Sequence, residues 1–209
     1  MSQDTYAKPM KDVRRYITPD QIASIINAAA SSSSWRRDRD VLLIAFLAYT
    51  GRRVGEVLNI RMKDILFDEE KILFSISKKK HETNKLKLIH PHLWKLLLEY
   101  IEKYELYEAE PYLFKSSWKE DGHLSDARVR QIIYKYCKEA NIPDFEHKKK
   151  VHPHTLRHSF AVDTAKKLKT PSDLRKLQMI LEHSRIDITT FYLQFSDDDQ
   201  KEIIENLYT

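Results

Sequence analysis

The chain has 209 residues, 42 % apolar and 32 % charged, enough for one well-buried domain and unlike a disordered chain. Its longest apolar run, VLLIAFLAY at 41–49, is about half of a membrane span, and the first residues lack an apolar signal core, so a cytoplasmic protein with no membrane partner is expected. The single cysteine, Cys137, excludes an internal disulfide or a multi-cysteine metal site.

Residues 1–17 read as a tail or linker remnant, and 18–209 as a single domain. Thr18 is placed to cap a helix, with Pro19 in its first turn and Gln21 closing a capping box. That helix should reach about Ala30, and a serine run at 31–34 makes a turn. A second helix is expected from about Arg36 through Tyr49. Thr50 and Gly51 interrupt it, and helical spacing resumes from Arg52 to Ile60. Residues 64–67, 71–77 and 86–90 read as three short strands, with 78–85 as a long, very basic turn. Helix returns from His92 through Tyr104, and Ser125 can cap another reaching Ala140. Further helices are expected over about 155–168, from Thr170 to near His183, over 189–193, and within 195–209 after Ser196. The fold class expected is mainly α with a small three-stranded antiparallel β-sheet, an α+β domain.

The net charge of +5 matters through its distribution. Residues 76–87 hold five lysines against Glu82, and 145–170 hold seven cations against Glu146 and Asp163. Residues 187–209 carry six acids against Lys201. Two basic segments and an acidic tail suit a polyanion met by one face, and ordinary solvated helix faces would look the same.

The stretch HPHTLRHSF at 152–160 holds three histidines and an arginine. His154 and His158 have zincin spacing, but Thr155 stands where that motif needs glutamate, and Arg157 would repel a divalent ion. No metal or other cofactor is therefore expected. As an anion site the stretch makes better sense. His154 and Arg157 lie three apart on a helix, and the guanidinium fork matches a phosphate.

Three further stretches join it in order: TGRRVGE at 50–56, the lysines from Lys78, and LEHSRIDITTFY at 181–192. Together with H-x-L-R-H these motifs resemble those of the tyrosine recombinase (phage-type integrase) family. The resemblance implies a site-specific DNA recombinase or integrase catalytic domain with double-stranded DNA as partner, self-associating on it as a dimer or tetramer. It also implies metal- and ATP-independent cleavage and rejoining through a 3′-phosphotyrosine. By the same resemblance Arg53 and Arg157 clamp the scissile phosphate, and His154 bonds it and assists proton transfer. Lys78 is the general acid, His183 contacts a non-bridging oxygen or the nucleophile, and Tyr192 is the nucleophile. Glu56 orients the site, with His158 as the residue it would act through.

Arg52 competes with Arg53, but only Arg53 keeps the family spacing to Glu56. Lys79, Lys80 and Lys85 compete with Lys78 and, with Lys148, Lys149 and Lys150, are otherwise expected to contact the DNA backbone. Family members generally carry a separate N-terminal DNA-gripping domain, and the 17 residues before Thr18 are too few for one. The helix in 195–209 is of the kind the family docks on a neighbouring subunit. Glu182 replaces the glycine usual before the last histidine. Two other readings remain: a type IB topoisomerase-like relaxase, and a DNA-binding module with impaired catalysis.

Overall fold

The computed structural model describes residues 16–78, 81–106, 112–116, 122–145 and 150–168, with 170, 172, 173, 177, 179 and 181 beyond them; for 76–78, 81–86 and 88 it describes the backbone alone. The architecture is mostly helical with a small antiparallel sheet. Helix α1, Pro19–Ala30, begins at the expected cap: Thr18 Oγ1 accepts from the Gln21 amide at 3.3 Å, and Gln21 Oε1 accepts from the Thr18 amide at 2.9 Å. Helix α2, Arg37–Thr50, is buried continuously from Leu42 to Ala48. A helix apolar on every side has to sit inside the domain, and α2 packs against α1 as well as α4, Pro91–Lys103, and α6, Pro153–Lys167. Phe46 of α2 meets Phe114 edge to face with ring centroids 5.9 Å apart, a contact contributing about 1 kcal/mol beyond its burial.

The short helix α3, Val54–Leu58, leads to the sheet. The sheet's body is the ribbon of β2, Lys71–Lys78, against β3, His81–Leu88, paired from Lys71↔Leu88 to Lys78↔His81. Strand β1, Ile65–Leu66, adds two residues at its edge, opposite Ile72 and Lys71. The long turn expected over 78–85 is corrected by this register. The strands continue to Lys78 and resume at His81, so Lys85 lies within β3 opposite Phe74. Residues 81–85, HETNK, lack the alternating apolar pattern that marks a half-buried strand, and backbone pairing with β2 overrides that.

Helix α5, Asp126–Glu139, starts at Ser125, whose hydroxyl accepts from the Arg128 amide at 3.2 Å. Helix α6, Pro153–Lys167, follows. One face joins the main core through Leu156, while Ala161 and Ala165 form a smaller cluster with Leu177 and Leu181. Residues 172, 173, 177, 179 and 181 are helical, and Thr170 Oγ1 accepts from the Asp173 amide at 3.2 Å, where the next helix is expected to open. The helices expected at 189–193 and in 195–209 lie outside the described residues. Among the described residues no helix is long and apolar enough to cross a membrane.

Candidate DNA-strand transfer site

The loop between α2 and α3 is built by Thr50 and Gly51. Thr50 Oγ1 donates to the Phe46 carbonyl at 2.6 Å, ending α2, and accepts from the Arg52 amide at 3.2 Å. Gly51 then turns the chain with φ 61°. This left-handed conformation favours glycine, and space demands it too: a Cβ here would lie 2.4 Å from Phe160 Cδ1 and 2.9 Å from Leu181 Cδ2. The backbone can therefore come down onto α6.

The Arg157 guanidinium seals that approach. Its Nη1 donates to the Gly51 carbonyl at 2.6 Å, and its Nη2 donates to the Leu181 carbonyl. Arg157 is 4 % exposed, and these two carbonyls set the plane of its fork. The T-G-x-R loop, the H-x-L-R helix and the region of Leu181 thus meet at one point, although Gly51 and Arg157 are 106 residues apart in sequence. His154, one turn earlier on α6, is exposed. His152 is the N-cap of α6, and its ring stacks on that of His154 with centroids 6.3 Å apart and planes 15° from parallel. His158 is half-buried.

Arg53 and Glu56 form a second unit across the loop. Arg53 Nη1 donates to Glu56 Oε1 at 2.8 Å, and its backbone amide donates to Oε2 at 3.3 Å. The Arg53 side chain stays 50 % exposed while the Glu56 side chain is 6 % exposed, so a cation is held at the surface by a carboxylate beneath it. Arg52 points the other way. Its side chain is 3 % exposed, its Nη1 lies 3.7 Å from Glu56 Oε2, and its guanidinium carbon lies 5.5 Å from the Phe74 ring centroid on β2. Burial thus separates two arginines that compete in the sequence. Among the described residues Glu56 meets Arg53 and Arg52.

The contact of Arg52 with Glu56 has one signal in the sequence, their i, i+4 spacing. Ser159, 1 % exposed, has none: its Oγ accepts from the Ile17 amide at 2.9 Å and donates to the Thr155 carbonyl at 3.0 Å.

Other expected site residues are described in part. Lys78 ends β2 and Lys85 lies in β3, with their backbones alone described. Lys150 sets its ammonium 3.7 Å from the Tyr134 ring centroid, at a cleft of about 300 Å³ between α5 and the start of α6. Lys79, Lys80, Lys148, Lys149, Glu182, His183 and Tyr192 lie outside the described residues. Among the described residues no group of three His, Cys, Asp or Glu side chains is placed to hold a metal ion.

The half-exposed Arg53 belongs to the T-G-x-R loop, the buried Arg157 and exposed His154 belong to the H-x-L-R helix, and the Gly51–Arg157 hydrogen bond brings loop and helix together. The chain matches the family model described as the phage integrase family over residues 15–199, and it belongs to that family. Among relatives, a tyrosine recombinase of Pseudothermotoga lettingae is 30 % identical over 195 residues, a match covering 92 % of this chain and 60 % of the relative. The chain thus spans about 60 % of that relative's length. Among solved structures, XerA recombinase superposes with a TM-score of 0.72 at 25 % identity, covering 98 % of this chain and 67 % of that one. XerH site-specific recombinase, solved bound to a palindromic difH substrate after cleavage, has the same fold, with a TM-score of 0.72 at 22 % identity over 94 % of this chain and 54 % of that one.

Proposed function

We propose that this chain performs DNA strand transfer as a site-specific tyrosine recombinase. The Tyr192 hydroxyl attacks a phosphodiester, forming a 3′-phosphotyrosine and releasing a 5′-hydroxyl. Attack by a second 5′-hydroxyl on that phosphotyrosine rejoins the strand and frees the tyrosine, so the bond energy is kept without ATP. The observation that supports this reading best is the seat of the T-G-x-R loop on the H-x-L-R helix, made by the Arg157 fork on the Gly51 carbonyl two residues before Arg53.

In this reading Arg53 and Arg157 offset the charge of the phosphate and of its pentavalent transition state, as a divalent ion does in many nucleases. The same cations favour the phenolate of Tyr192, whose ordinary pKa is about 10. His154 bonds the phosphate and helps transfer the proton. His183 supports the oxygens or the nucleophile, and His158 holds the site from behind. Lys78, at the last position of β2, protonates the leaving 5′-oxygen, and Lys79 and Lys80 remain its rivals. Double-stranded DNA is the partner, with Lys150 among the backbone contacts, and 195–209 is the segment through which copies would associate on it.

The test is incubation with a nicked suicide DNA substrate in EDTA, followed by a denaturing gel. A covalent adduct is expected, and Tyr192→Phe should abolish it. DNA binding without any adduct would instead support the impaired binding module, which Glu182 in place of the usual glycine favours. Supercoil relaxation without strand exchange between duplexes would support the topoisomerase-like alternative.

A further inference from the structure

Glu56 is a buried carboxylate serving two arginines of opposite exposure. Arg53 approaches it from solvent, and Arg52 approaches from the interior, between the carboxylate and the face of Phe74. We propose that Arg52 is a positioning residue, the inner counter-ion that lets Arg53 leave Glu56 for a DNA phosphate. The inference rests on the DNA-phosphate reading given above. A buried carboxylate stripped of its cation is strongly unfavourable. If Arg53 were the sole compensating charge, moving to a phosphate would strand Glu56, and the carboxylate would compete with DNA for the same guanidinium. The ion pair would also present no net charge to the duplex. With Arg52 in place the three side chains carry one net positive charge, and it resides on the half-exposed guanidinium. The Arg52 guanidinium faces Glu56 and the Phe74 ring, so its charge is turned to the interior side of the carboxylate. The close Arg53–Glu56 bond is then a resting position, and the longer Arg52–Glu56 contact is what remains when Arg53 moves.

The prediction is a rescue. Arg52→Met keeps an unbranched stem against Phe74 and removes the inner charge. It should slow adduct formation on the nicked substrate about ten-fold or more. It should also lower the slope of log binding constant against log salt by about 0.9, the loss of one phosphate contact. Adding Glu56→Gln removes the competing carboxylate, and the double variant should recover the wild-type slope and most of the rate. A purely structural Arg52 would make the double variant no better than Arg52→Met at equal thermal stability, and that result would overturn the proposal. Should Arg52→Met fail to fold, Arg52→Lys supplies the decision: a wild-type salt slope supports the counter-ion role, and a slope lowered by one contact rejects it. Failure of the recombinase reading would show separately, as a wild-type protein that binds DNA without an adduct, and the salt slopes still decide the role of Arg52.

Discussion

At Gly51 the backbone takes φ 61° and lies against Phe160 and Leu181, so this residue answers to torsion and to space together. Its carbonyl is also an acceptor for Arg157, which makes the loop's conformation a condition for the fork's orientation. Gly51→Ala should cost about 3 kcal/mol, combining left-handed strain with overpacking in a filled site. Urea denaturation measures this, and a loss below about 1 kcal/mol would show that Phe160 and Leu181 yield easily. The motif T-G-x-R made the loop recognisable in the sequence. Its spacing to Glu56 also separated Arg53 from Arg52; what it could not convey was the buried seat of Arg52, because that depends on Phe74, a side chain supplied by β2 after the chain has turned back.

Among the elements, what was legible followed from local chemistry. The caps at Thr18 and Ser125 act over three residues, so reading them needs no tertiary knowledge. The apolar run at 41–49 likewise identified the core helix. The full length of the hairpin is hidden for the opposite reason: β3 is held by backbone pairing with β2, and the residues at 81–85 have the polar composition of a turn. The tie between the entry to α1 and α6 was hidden in the same way. Ser159 takes up the Ile17 amide across 142 residues, and nothing at either position announces the bond. Ser159→Ala would leave that buried amide without its acceptor, at a cost of about 1–3 kcal/mol. The loss should appear as a lower urea midpoint and faster exchange of the Ile17 amide proton. Unchanged exchange at Ile17 would mean that the bond contributes nothing to holding the entry of α1 against α6.

For the whole molecule, α2 is the post to which the other helices are tied, and its contact with α4 carries a dependence on pH. Asp38 accepts from Lys103 Nζ at 2.6 Å and from the Tyr104 hydroxyl at 2.8 Å, joining α2 to the end of α4. Burial alone would raise the Asp38 pKa, but those two hydrogen bonds and the cations outweigh it and hold the carboxyl below its usual value of 3.8. A depressed carboxyl stabilises the fold above the unfolded value, and that contribution disappears as pH falls through the folded one. The alkaline limit has the opposite sign. Burial lifts the Tyr100 hydroxyl to about 12, with its ring 4.9 Å from that of Tyr104. The unfolded chain therefore loses this proton first, near the ordinary value of 10.0. The resulting stabilisation is complete below that pH and is lost as pH rises towards 12. Tyr100→Phe removes this dependence. Between pH 9 and 12 the wild type should lose about 2 kcal/mol more than the variant, as read from paired urea titrations. Parallel curves would mean that solvent reaches the Tyr100 hydroxyl in the folded state, and that packing between α2 and α4 does not exclude water there.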